Sequence, residues 1–176
     1  MVDNVSRVFQ TLELQKRALL DRIAAWPTEQ RQFRPAPGRW SALDIVDHLV
    51  RMEETALVGV QTNLPHGHPV RIIDRLSGML VNGLMRSPIR IRVPAGVPAV
   101  LPDGAADLDA LGNRWAEIRK EMASLLCLLA QEQLHTGLVR HPVAGWMSIL
   151  QGMRFLSAHL IHHEYQLDRL ERTARR

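Results

Sequence analysis

Ser148-Ile149-Leu150-Gln151-Gly152-Met153-Arg154-Phe155-Leu156-Ser157-Ala158-His159-Leu160-Ile161-His162-His163-Glu164-Tyr165-Gln166-Leu167 is the stretch that decides how this chain folds. Ser148 and Gln151 form an S-x-x-Q capping box, in which each side chain takes up a backbone N–H that the first turn of a helix leaves unpaired. The pattern predicts a helix over about Met147 to Arg172. At about 100° per residue, Ser148, Gly152, Phe155, Leu156, His163, Gln166 and Leu170 all fall within about 60° of His159. Two histidines therefore sit in the middle of the apolar face. An i, i+4 pair has Cβ atoms about 5–6 Å apart, close enough for both imidazoles to reach one ion at about 2.0–2.1 Å. Buried histidines satisfied by hydrogen bonds meet the same spacing, and Gln166 on the same face favours the metal reading. His162 lies on the flank, as a helix-interface residue or a support for the pair.

Three further segments carry helical spacing. The first runs roughly from Asn4 to Ala25, with an apolar stripe from Val5, Val8, Phe9, Leu12, Leu19, Leu20 and Ile23, and Trp26-Pro27 stops it. A linker over Thr28 to Arg39 contains Pro35, Pro37 and Gly38, which oppose continued helix. Ser41 then caps a second helix from about Ala42 to Thr62, and Asp44 completes a capping-box-like arrangement. His48 lies at the border of this helix's apolar arc, placed to turn toward a neighbour and supply the third nitrogen of a three-histidine site with open positions. Glu53 falls near the arc's centre, where an unpaired carboxylate costs several kcal/mol, so it needs a partner such as Arg, a metal-site His or water.

Asn63 to Ala106 is a long connection holding Pro65, Pro69, Pro88, Pro94, Pro98 and Pro102, with a short helix over Val70 to Leu84. Connections of this length are lids, or crossovers between helices that run the same way. The third helix is expected from about Asp107 to Leu134, followed by a turn over Gly137 to Trp146 in which His141 is a turn residue. No β-rich stretch exceeds Ile89-Arg90-Ile91-Arg92-Val93, so the fold class is all-α. Four helices of about 20 residues are rods of about 30 Å, the dimensions of a four-helix bundle.

The 176 residues, 46% hydrophobic and 23% charged, fit one domain spanning 1–176 with a real core. No apolar run approaches the roughly 18 residues of a membrane span, and Met1 to Gln10 lacks the apolar core of a secretory signal. The expectation is a cytoplasmic protein with no membrane partner. The formal charge is +4, but the basic residues are almost all Arg and are interleaved with Asp and Glu. Arg86-Ser87-Pro88-Ile89-Arg90-Ile91-Arg92 offers no aromatic platform for bases, so no nucleic-acid partner is expected, and the stretch reads as a solvated loop or an anionic-ligand rim. A single cysteine, Cys127, excludes an intramolecular disulfide; within Leu125 to Leu129 it reads as buried and inert. His66, His68 and His135 read as solvated.

Trp40, Ser41, Asp44, His48 and Leu49, followed by Glu53, resemble the W-S-x-x-E/D-x-x-x-H-L…E signature of the DinB/YfiT-like superfamily. His141-Pro142-Val143-Ala144-Gly145 and then His159, His163, Gln166 and Leu167 are similar to its closing H-P-x-x-G…H-x-x-x-H-x-x-Q-L segment. The first helix, the long connection and the third helix match only in pattern. The resemblance implies an up-down-down-up four-helix bundle with a long connection between helices 2 and 3. It carries the family's metal-binding histidines over to His48, His159 and His163, with zinc or nickel as the divalent ion. Members include thiol-dependent S-transferases, a thiol-dependent maleylpyruvate isomerase and proteins called metal-dependent hydrolases, and homodimers are common.

The function expected is a metal-dependent enzyme in which a divalent ion bound by three histidines lowers the pKa of a thiol or water, giving a low-molecular-weight thiol S-transferase or a hydrolase acting on a small molecule. Arg71, Arg75, Arg86, Arg90 and Arg92 are candidates to hold the thiol's carboxylates, and Glu53 or a nearby His to accept a proton. The alternative is a non-catalytic, metal-stabilised bundle acting as a binding or dimerisation module, for which closed four-ligand coordination is expected.

Overall fold

A computed structural model describes residues 3–91, 98–104 and 107–174 of the chain. Its α-helices are α1 (Asp3–Ala24), α2 (Thr28–Gln32), α3 (Ala42–Asn63), α4 (Ile72–Met85), α5 (Leu108–Leu128) and α6 (Ile149–Ala174). The four long ones, α1, α3, α5 and α6, form an up-down-down-up bundle in which α1 packs along α6 and α3 along α5. The long connection links α3 to α5 and carries α4, which lies on α6.

Local chemistry sets the helix starts. Ser41 Oγ accepts from the Asp44 N–H at 3.1 Å, and the Ser41 N–H donates to Asp44 Oδ2 at 2.8 Å, the reciprocal capping box. The Ser148 N–H donates to Gln151 Oε1 at 2.9 Å and the Gln151 N–H to Ser148 Oγ at 3.4 Å, which opens α6 in the same way. Between these rods the core is filled by Leu12, Leu19 and Ile23 of α1, Ile45 and Leu49 of α3, Leu111 and Trp115 of α5, and Leu160 and Leu167 of α6.

Several sequence expectations are corrected. The linker after Pro27 is not wholly irregular, since it contains the short helix α2. The third helix ends at Leu128 rather than Leu134: Leu129 is extended, the Gln133 side chain accepts from the Ala130 N–H, and Glu132–His135 forms a separate 3-10 turn. The turn after it is an antiparallel hairpin, β1 (Val139–His141) with β2 (Gly145–Met147). Gly145 makes that hairpin possible, because its φ of +75° is a left-handed conformation and a Cβ there would overlap the Asp74 carboxylate. Asp74 in turn is buried and accepts from the Arg71 N–H at 3.0 Å and from the Trp146 backbone N–H, tying α4 to β2. Cys127 is exposed, not buried: Trp115, Arg119, Met122 and Leu126 fix the phase of α5 and leave Cys127 and Leu128 on its outer side. His68 is half-buried rather than solvated; its ring stacks on Trp146 with centroids 3.7 Å apart, and its backbone pairs with Gly137. His66 and His135 are exposed.

Candidate metal centre

Three imidazoles converge where α3 passes α6. His159 Nε2 lies 3.3 Å from His48 Nε2 and 3.0 Å from His163 Nε2. Nitrogens bound tetrahedrally at about 2.0–2.1 Å from one ion are about 3.3 Å apart; both of these spacings are close to that, and the ligand atoms of all three residues lie within 4.8 Å of one another, so they can share one ion. All three rings are buried.

The outer nitrogens fix the tautomers. His48 Nδ1 lies 2.7 Å from the Val100 carbonyl oxygen, which can only accept, so the proton is on Nδ1 and Nε2 carries a bare lone pair. His163 Nδ1 donates to Gln166 Oε1 at 3.0 Å, with the same result. Two bare nitrogens thus face His159 Nε2, and one imidazole proton cannot serve both. His159 Nδ1 is buried with no hydrogen-bond partner among the described residues. Burial is the main cause holding all three histidines below the usual imidazole range, well below it for His159 and His163, where neighbouring rings add to the effect. Neutral imidazoles with converging lone pairs fit a divalent cation.

Aromatic rings enclose the cluster. Trp40 stands 4.8 Å from the His48 ring and stacks on His163 at 6.3 Å, while Phe155 stacks on His159 at 5.6 Å. Spacing alone gives neither ring a part in the cluster beyond Phe155 sharing the face of His159; for Trp40 the signal is its place immediately before the capping serine, at the head of the segment that carries the resemblance. His162 is buried beside His163, its Nδ1 without a partner among the described residues, and lies outside the ligand set. His141 closes its turn by accepting the Val143 and Ala144 N–H groups on Nδ1 at 3.1 and 3.0 Å, and its ring meets Phe155 edge-on.

Glu53 is not brought to the cluster. Its carboxylate takes a two-pronged ion pair with Arg119, at 2.5 Å from Nε and 2.6 Å from NH2, with both side chains buried. Glu13 adds a second carboxylate to Arg119 at 3.1 Å.

The cluster opens on a cavity of about 950 Å³ between α3, α4, α5, α6 and β1. Arg39 and Arg140 are the charged Arg or Lys residues on its wall, and no Asp or Glu among the described residues lines it. The arginines expected from the loop do not take that place: Arg71 is bound to Asp74, and Arg75, Arg86 and Arg90 are exposed and off the wall, because the solvent-facing side of α4 and its approaches carries them away. Arg92 lies outside the described residues.

The family model described as the DinB superfamily matches residues 11–167. The chain belongs to the DinB superfamily. His48, His159 and His163 all lie within the matched span of this DinB-superfamily chain. Among solved structures it is similar to YfiT from Bacillus subtilis, described as a probable metal-dependent hydrolase with an unusual four-helix bundle topology. The TM-score is 0.68 at 16% identity, over 98% of this chain and 89% of that one, a likeness of fold. No curated protein matches the sequence.

Proposed function

We propose that this chain is a metal-dependent enzyme that uses His48, His159 and His163 to hold a divalent ion of the zinc or nickel type. One observation carries the reading: three neutral nitrogens converge beside a large cavity, and no fourth His, Cys, Asp or Glu among the described residues joins them. Structural zinc sites are closed by four protein ligands, whereas catalytic ones keep a position open, so the geometry favours the enzyme over the metal-stabilised binding module. A divalent ion held there lowers the pKa of a coordinated water or thiol toward neutrality and so supplies an anionic nucleophile.

The chain's own residues do the rest. Val100 and Gln166 fix the orientations of His48 and His163. Trp40 and Phe155 cover ring faces and exclude water. Arg39 on the cavity wall attracts an anionic reactant, and His162, whose ring borders the cavity, is better placed than Glu53, which is paired with Arg119, to accept a proton. Hydrolysis is supported by the description of YfiT, and thiol transfer by the positive wall, which suits a carboxylated thiol. A homodimer fits the apolar side of α4, where Ile72, Ile73, Leu76, Met79 and Leu80 are exposed, and an unbridged thiol at Cys127 fits a cytoplasmic setting.

Elemental analysis tests the site. Wild type and His162→Ala should retain one divalent ion per chain, and the His159→Ala, His163→Ala double variant should lose it; equal metal in all three overturns the reading. Turnover of an ester and electrophile panel without any thiol removes the transferase version, and strict thiol dependence removes the hydrolase version.

A further inference from the structure

The cavity continues far beyond the histidines. On α3 its wall runs from His48 to Asn63, and on α6 from Gln166 back to Ile149. Fifteen steps along α3 at 1.5 Å each make this about 22 Å, four turns of helix. Away from the triad the wall is Leu57, Val60, Met122, Leu126, Met153 and Ile149. Two polar side chains in this stretch are already satisfied within the protein. Thr55 Oγ1 donates to the Arg51 carbonyl at 2.7 Å, and Asn63 Nδ2 donates to the Gly59 and Leu138 carbonyls at 2.7 and 3.2 Å. A polar substrate entering there gives up its hydration with no hydrogen bond in exchange, whereas an apolar chain gains by leaving water.

The charged end is equally one-sided. Arg39 precedes Trp40, whose ring stacks on His163; Arg140 also borders the cavity, but its guanidinium lies over the Trp146 ring, 5.5 Å from the centroid, on the face of the hairpin opposite His141, which leaves Arg39 as the charge nearest the triad. Among the described residues the wall's formal charges are thus positive.

We propose that the cavity is a channel for an anionic amphiphile, with the acid group at the histidine end and a long apolar tail laid between α3, α5 and α6. This deepens the enzymatic reading and rests on it for the claim that the head, not the tail, meets the reacting centre. The tail site itself needs no metal.

Isothermal titration of the purified full-length chain with straight-chain carboxylates, from butyrate to dodecanoate, tests it, repeated after chelator treatment with metal content measured on each sample. Affinity should tighten about fourfold for each added methylene. Decylamine, with a comparable tail and a cationic head, should bind at least about tenfold more weakly than decanoate, a cost expected of a like charge beside Arg39. Ala56→Trp and Met153→Trp, each placing an indole in the channel, should remove the gain for the longer acids. Wild type alone decides the matter if both variants misfold: affinities that do not change with chain length, or that are equal for amine and acid, overturn the proposal. A chain-length series that persists after chelation supports the channel, and the metal reading fails separately if the chelated protein takes up no zinc or nickel when either is supplied.

Discussion

Replacing either member of the Glu53–Arg119 pair separates a structural carboxylate from a reacting one. Both side chains are almost wholly buried, at 1% and 2% exposure, and the guanidinium grips both carboxylate oxygens. Removing one partner from such a pair costs about 3–5 kcal/mol, because a buried charge is left uncompensated. The two single variants are not equivalent. Arg119→Met strands Glu53 with no cation and belongs at the upper end of that range. Glu53→Gln leaves Arg119 with Glu13, whose side chain is 37% exposed, and belongs near the lower end. The combined Glu53→Leu, Arg119→Met variant removes both charges and should recover most of the loss. Urea unfolding of chelated protein reads these differences, and about 3 kcal/mol lowers the melting temperature by roughly 6–12 °C in a domain of this size. Metal content of the folded variants should equal wild type. If Glu53→Gln unfolds at the wild-type urea midpoint, keeps its metal and loses all turnover, the carboxylate serves the chemistry and the structural assignment is wrong.

Acid should destabilise the metal-free chain. His48, His141, His159, His162 and His163 are held low chiefly by burial, so below about pH 6.5 the unfolded chain binds protons that the native one refuses; stability is full above that pH and lost as it falls. Thermal melts from pH 7.5 down to pH 5 should show a falling midpoint, and a rising one contradicts the burial of neutral rings. Gly145→Ala forces a φ of +75° on a residue with a Cβ and displaces Asp74, for a loss of at least about 1–2 kcal/mol in denaturant, against a gain of up to about 1 kcal/mol for Gly83→Ala, where a Cβ meets open space and helix propensity alone acts. Leu76→Glu with Leu80→Glu, both on the exposed apolar side of α4, should convert a sedimenting dimer to monomer, and an unchanged sedimentation coefficient rules out this face as the contact.

What the sequence discloses here depends on how far apart the interacting groups lie along the chain. The caps at Ser41 and Ser148 close within three residues, so their chemistry is visible in the letters, and so is the inward phase of His159 and His163, four residues apart on one helix. The third nitrogen is different in kind. His48 stands 111 positions from His159, and nothing in the spacing of α3 fixes how that helix is rotated against α6; its place at the border of the apolar arc makes it a candidate, and the resemblance of the Trp40–Glu53 segment singles it out. The same limit hides the partner of Glu53, since a buried carboxylate announces that a cation must exist and not that it is Arg119, 66 positions on.

Composition misleads where phase decides. Cys127 sits among leucines, yet Leu128 beside it is 82% exposed, because the register set by Trp115, Met122 and Leu126 turns that edge of α5 outward. The loop arginines stand out by density, whereas the two that border the cavity, Arg39 and Arg140, come from other segments, and on β1 the inward turn of His141 to Phe155 sends Arg140 to the opposite face, over the Trp146 ring. A local sequence pattern identifies side chains that must be buried together, and packing between helices decides which distant groups they meet. The histidine cluster is therefore half written in α6 alone, and its second half, together with the positive mouth of the channel, exists only once α3, the hairpin and α6 have been brought into register.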